Sequence, residues 1–147
     1  LVETWRTSEA FDARGTVAQE QLLKTLAPIR VSNYDQRPYK TLSAGTTPPA
    51  ASGRAVSVIA HVDVSQDPRV APMLVRLASA ARAEAGNLRF DVMQHTMRAN
   101  HFTIVETWQS QEALDAHVAA ANTRQYRDEL QPLTGSPLDE RVYKAVE

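Results

Sequence analysis

The residues of this 147-residue chain best suited to chemistry stand close together: Glu106 and Trp108 on one apolar run, and His117 on the amphipathic run that follows. An imidazole with an ordinary pKa of about 6.5 can take or give a proton near neutral pH. An indole can wall a flat aromatic ligand, and donors such as Asn87 or Arg89 can steady an oxyanion. The candidate catalytic residues are therefore His117 and Trp108, and the candidate substrate contacts are Glu106, Asn87, Arg89 and Phe90. A packed core would use the same types: a single histidine on an apolar helix face, or a tryptophan at a strand end, is commonly structural. His61, His95 and His101 have no second ligand at helical spacing, so no metal site is expected.

Strand and helix periods explain how those three residues would meet. Phe102, Ile104, Glu106 and Trp108 alternate against Thr103, Val105 and Thr107, which predicts a strand over 101–108 with Glu106 and Trp108 on one face. Ser110 caps a helix that places Leu114, His117, Val118 and Ala121 on one side. If that side meets the sheet, Glu106, Trp108 and His117 converge on a cleft between sheet and helices. The preceding elements are a strand over 55–64 and a helix begun at Asp67-Pro68, with a buried stripe of Val70, Met73, Leu74, Leu77, Ala78 and Ala81 that Gly86 ends. A strand over 87–95 comes next. After His117 come a short helix through Tyr126 and Leu130 to Pro132 and a strand over 138–146. The order is βαββαβ, a ferredoxin-like α+β fold: a four-stranded antiparallel sheet with helices on one face. The other face would present Ile59, Met93, Thr103, Val105 and Thr107, too apolar to stay wet. A second sheet is expected to cover it, in a homodimer or in an intrachain pseudo-dimer.

The chain also contains part of itself twice. Residues 1–14 repeat 104–117 at an offset of 103 (Trp108 minus Trp5), with Val, Glu, Thr, Trp, Glu, Ala, Asp and Ala in matched places. After one residue of slippage, Asp35-Gln36-Arg37-Pro38-Tyr39-Lys40 answers Asp139-Glu140-Arg141-Val142-Tyr143-Lys144. So long a period reads as domain duplication. The expected organisation is a C-terminal βαβ half of a first repeat over 1–42, a linker over 43–54, and a complete domain over 55–147. In the half-repeat, Leu1–Trp5 reads as a strand, Gly15 divides a helical stretch, and 34–42 reads as a strand that Pro38 confines to an edge. The first copy has no counterpart of 56–103 and starts without methionine, which reads as a fragment of a longer tandem protein or else as a half-domain that must borrow a partner. Arg14 stands where the second copy has His117, so the first copy would lack the proton acceptor.

Composition narrows the partners. A net charge of −1, with no cluster of Lys and Arg among aromatics, gives no footprint for nucleic acid. No apolar run is long enough for a membrane span. The absence of cysteine removes disulfides, a thiolate nucleophile and Cys-based zinc, in keeping with a cytoplasmic location. No glycine loop for a dinucleotide is present, and no cofactor is expected.

Three motifs in order, Glu84-Ala85-Gly86-Asn87-Leu88-Arg89-Phe90-Asp91-Val92, Phe102-Thr103-Ile104-Val105-Glu106-Thr107-Trp108 and Glu112-Ala113-Leu114-Asp115-Ala116-His117, resemble the antibiotic biosynthesis monooxygenase domain of the dimeric α+β barrel superfamily. The resemblance covers 56–146 in full and 1–42 as a half-copy. It implies a cofactor-independent monooxygenase that joins dioxygen to a small phenolic or quinol-type aromatic substrate in a pocket between sheet and helices. The same scaffold also serves haem-degrading enzymes, in which His117 would be an axial ligand, and members that only bind or associate. A cleft of roughly 300 Å³ or more beside Trp108 and His117 would favour the enzyme, and a cleft packed shut would rule it out.

Overall fold

The computed structural model describes residues 2–13, 15–32, 37–46 and 53–144. They fall into two compact units, Leu1–Gln36 and Arg37–Glu147. Among them, no helix is long and apolar enough to cross a membrane.

The first unit holds α1 (Ser8–Asp12) and α2 (Thr16–Leu26), with Gly15 between them as expected. The Thr7 hydroxyl caps α1 by accepting from the Ala10 amide at 3.1 Å. The expected strand at the start is not formed: residues 2–5 have no regular structure, and Leu1 lies outside the described residues. A strand requires a partner for its backbone groups, and residues 2–5 belong to no strand pair. The indole of Trp5 instead donates to Glu3 Oε2 at 3.3 Å.

The second unit is a five-stranded antiparallel sheet with helices. Its elements are β1 (Tyr39–Ser43), β2 (Val56–Asp63), α3 (Val70–Arg82), β3 (Asn87–His95), β4 (His101–Trp108), α4 (Gln111–Ala119), α5 (Ala121–Leu130) and β5 (Asp139–Lys144). The spatial order is β1-β3-β4-β2-β5. Without β1, this is the βαββαβ sheet expected from the sequence. Val56, Val58, Ala60 and Val62 of β2, Phe90 and Val92 of β3, and Phe102, Ile104 and Trp108 of β4 share a buried cluster with Val70, Leu74, Leu77, Ala78 and Ala81 of α3. Burying each larger side chain contributes about 1.5–3 kcal/mol, so period-two and period-3.6 patterns that meet on one face are enough to fix the packing.

The compact division falls before Arg37, whereas the sequence places a linker at 43–54. Its cause is the backbone of β1, which pairs with β3 (Tyr39 opposite His95, Lys40 opposite Gln94, Thr41 opposite Met93) and so adds a fifth strand at the sheet edge. Arg82 of α3 ties this edge down by donating to Ser43 Oγ and to the Phe90 carbonyl, each at 2.9 Å. Tyr39 reaches further in. Its hydroxyl donates to Nε2 of the buried His101, whose Nδ1 meets Asp63 Oδ1 at 2.7 Å. With both ring nitrogens satisfied, a histidine 1% exposed is an ordinary structural residue.

Two smaller expectations also change. Helix α3 begins at Val70 because the Asp67 carboxylate binds the Arg69 amide at 2.8 Å and holds residues 67–69 in a turn. The helical run after Ser110 breaks at Ala120, whose ψ of 149° is extended, and this leaves Val118 and Ala121 exposed.

Gly86 sits beyond the end of α3 at φ +82°, and a Cβ added there would lie 2.7 Å from Cβ of Ala113 on α4. Glycine alone therefore lets the turn over 83–86 lie against the start of α4, and its carbonyl accepts the Gln109 amide at 2.9 Å. Gly86→Ala should destabilise the protein by at least about 2 kcal/mol in urea unfolding. An unchanged midpoint would show that the turn is free to move away from α4.

Candidate active site

The site begins with one cap and one turn. The Ser110 hydroxyl accepts the Ala113 amide at 3.4 Å and starts α4, so Leu114 and His117 both fall on the face toward the sheet. Gly86 brings the preceding turn against the same helix, and that turn carries Glu84. His117 is then 5% exposed, with its ring stacked on Trp108 at 4.6 Å between centroids and 26° between planes. Phe90 meets the ring edge-on at 5.6 Å.

His117 is held at both nitrogens, but unequally. Nδ1 lies 2.9 Å from Glu84 Oε2, and the other oxygen of Glu84 accepts from the Asn122 amide at 2.9 Å. An ionised carboxylate only accepts, so Nδ1 carries the hydrogen in this contact. Nε2 lies 3.6 Å from Glu106 Oε2, beyond hydrogen-bond distance, and Thr123 Oγ1 packs against the ring at 3.4 and 3.5 Å. The Glu106 oxygen is meanwhile fixed by the Trp108 indole, which donates to it at 2.8 Å. Burial pushes the Glu106 carboxyl above its ordinary range, against the opposing pull of the Trp108 hydrogen bond and His117.

Beside this group lies a cavity of about 90 Å³. Its apolar lining comes from Val58 and Ala60 of β2, Leu77 of α3, Phe90 of β3, Ile104 of β4 and Leu114 of α4; its polar lining is Glu106, His117, Thr123, Tyr126, Arg127 and Glu140. Val118 and Val142, both exposed, also line it, which places its opening between α4 and β5.

Of the residues expected at the site, Glu106, His117 and Phe90 line the cavity. Trp108 does not: fully buried, it backs His117 and has no face left for a ligand. Asn87 and Arg89 are not lining residues either. The Asn87 amide donates to the Arg89 carbonyl at 3.2 Å. Arg89 has the strand parity opposite to Phe90 and pairs with Asp91 at 2.7 Å, on the sheet face away from α3. The sequence reading missed Glu84, Thr123, Tyr126, Arg127 and Glu140. Tyr126 and Thr123 were within reach, since Thr123, Tyr126 and Leu130 recur at spacings of three and four, the mark of a buried helix face. Glu84 gave no signal.

The sequence profile of the antibiotic biosynthesis monooxygenase family matches residues 57–129, from β2 nearly to the end of α5. Those residues are similar to an antibiotic biosynthesis monooxygenase domain. Solved structures agree on the fold. A candidate antibiotic biosynthesis monooxygenase from Nitrosomonas europaea is 21% identical, with a TM-score of 0.61 over 65% of this chain and 93% of its own. Rv0793 from Mycobacterium tuberculosis is 25% identical, with a TM-score of 0.58 over 63% of this chain and 96% of its own. A candidate monooxygenase from Fusobacterium nucleatum is 13% identical, with a TM-score of 0.82 over 97% of this chain and 72% of its own. No curated protein matches the chain.

The raised Glu106 carboxyl has a consequence for stability. Above the ordinary value of 4.5 the unfolded chain has lost this proton while the folded domain still holds it. Stability therefore falls as pH rises from there through the folded value, then levels off. Glu106→Gln keeps an acceptor for the Trp108 indole and removes the titration. In urea unfolding across that range, the Gln variant should gain on the parent as pH rises. A constant difference would mean that Glu106 is not raised.

Proposed function

We propose that this domain is a cofactor-independent monooxygenase of a small, single-ring phenolic or quinol-type substrate. The observation that carries the reading is the unequal hold on His117: Glu84 engages Nδ1 at 2.9 Å, and the looser contacts of Nε2, 3.6 Å from Glu106 and 3.5 Å from Thr123, lie beside the cavity. This supports the tautomer a general base requires, with Nδ1 carrying the hydrogen. An imidazolium formed there would have a carboxylate on each side and an indole face against it. The charge created by proton abstraction thus develops in a prepared setting.

The chemistry balances with dioxygen as the only co-reactant. His117 Nε2 takes the phenolic proton of a hydroquinone, and the anion gives one electron to dioxygen, leaving a substrate radical and superoxide. Their combination forms the carbon–oxygen bond. Return of the proton from His117 gives a hydroperoxide; loss of the hydrogen on the oxygenated ring carbon then breaks the O–O bond, the outer oxygen leaves as water with those two protons, and a hydroxyquinone remains. Phe90 and Leu114 supply flat and apolar contact for the ring, and Trp108 acts by positioning His117 and Glu106.

The cavity volume favours a second reading as well. About 90 Å³ is well below the roughly 300 Å³ at the lower end of ligand pockets. This supports a domain that associates or binds without turnover. It argues against haem, which is larger than most pocket ligands, and the His117 ring is in any case enclosed by Trp108, Phe90, Glu84 and Thr123. For an enzyme, it limits the substrate to one ring and requires the mouth at Val118 to open.

The duplication belongs to the same proposal. The Glu-x-Trp pair makes the same indole-to-carboxylate contact in both copies, and the next helix is capped by Thr7 in one and Ser110 in the other. This supports 1–42 as part of a second repeat in an intrachain pair, or as one that completes itself with another copy. Arg14, the counterpart of His117, lies outside the described residues.

Dioxygen uptake with 1,4-dihydroxybenzene, and no added metal or cofactor, tests the enzyme reading. His117→Ala should lower the rate about 100-fold or more with the fold intact, and Glu84→Gln should lower it by a smaller factor. Uptake at the parental rate in His117→Ala would remove the proposed base. No uptake by the parent with any small phenol would leave the binding role.

A further inference from the structure

Among the described residues, two buried side-chain polar atoms have no hydrogen-bond partner: the Tyr126 hydroxyl and Arg127 Nε. They are neighbours on α5, and both residues line the cavity beside His117. Unpaired buried polar groups are rare in folded proteins, and two on adjacent lining residues point to something that the described residues do not supply.

Their chemistry restricts what that is. Arginine has donors and no acceptor. The Nη2 of Arg127 is already given to both oxygens of Glu140, at 3.1 and 3.2 Å, so its charge is matched, and Nε–H is the buried donor without a partner. The Tyr126 phenol is 7% exposed, and burial together with the nearby Glu140 and Glu106 holds it protonated well above neutral pH. Both positions therefore present hydrogens. Glu140 already takes up the charge of Arg127, so this guanidinium offers little attraction to a negative group.

We infer that Tyr126 and Arg127 form a donor subsite for a neutral acceptor oxygen of the ligand, a carbonyl in preference to a carboxylate. Tyr126 stands three residues beyond Thr123, which touches His117, or about 5 Å along α5. A ligand with a phenolic hydroxyl toward His117 and a carbonyl elsewhere on the ring spans that separation. The subsite rests on the reading of the cavity as a phenol-binding site and specifies it.

Calorimetric binding without dioxygen, where turnover cannot occur, separates the two claims. The probes are 4-hydroxybenzaldehyde and 4-methylphenol, alike in size and differing in the acceptor oxygen. The parent should bind the aldehyde about tenfold more tightly. Tyr126→Phe should bring the ratio close to one by weakening the aldehyde more than 4-methylphenol. In the ligand-free protein the same variant should raise the thermal midpoint, because it removes an unpaired hydroxyl; a tyrosine that bonds within the fold would lower it. If 4-methylphenol binds but the parent shows no preference, or if Tyr126→Phe keeps the preference, the subsite is wrong and the cavity reading stands. If neither compound binds, both fall.

Discussion

A buried imidazole held between two carboxylates is the contact on which the site depends. His117 comes from α4, Glu84 from the turn after α3 and Glu106 from β4, so the arrangement exists only when helix, turn and strand are packed together. Each support has its own local cause. Gly86 allows the turn to approach α4, Ser110 fixes where α4 starts, and Trp108 spends its indole hydrogen on Glu106 while its ring face lies against His117. Removing any of these would leave a charged or polar group buried without its partner, which is why a small domain can hold so polar a cluster in one geometry.

Much of this was legible in the sequence, and the part that was not has a physical reason. Strict alternation along 56–63 and 102–108, and the stripe at 70–81, define strands and a helix that can pack in few ways, so the βαββαβ sheet follows. Parity along β4 also put Glu106 and Trp108 on the helix side, and spacing along α4 added His117. Arg89 shows the cost of overlooking the same rule. One residue away from Phe90, it belongs to the opposite sheet face, where Asp91 takes its charge. Glu84, in contrast, lies in a turn, and no period governs where a turn side chain points. The edge strand β1 was legible as a strand but not as a member of this sheet, because pairing across a long separation is set by the receiving edge of β3.

The two copies of the Glu-x-Trp motif show how much context matters. In both, the indole donates to the carboxylate two residues before it, so that contact is local and survives wherever the motif occurs. The surroundings differ: Trp108 is fully buried, whereas Trp5 is 43% exposed. Among the described residues, the copy at 106–108 has His117 after it and a cavity next to it. The same local motif can thus recur while the chemistry depends on what packs around it.

The account turns on which nitrogen of His117 carries the hydrogen, and ¹⁵N NMR of the histidine ring reports that directly. With the domain labelled at histidine and held at a pH where the ring is neutral, the account predicts Nδ1 with the shift of a protonated nitrogen and Nε2 with that of a free acceptor. Glu84→Gln should disturb this preference and Glu106→Gln should not. A His117 that is protonated at Nε2 in the parent, with Nδ1 as the acceptor, would contradict the account: the nitrogen facing Glu106 would then have no lone pair to take a substrate proton.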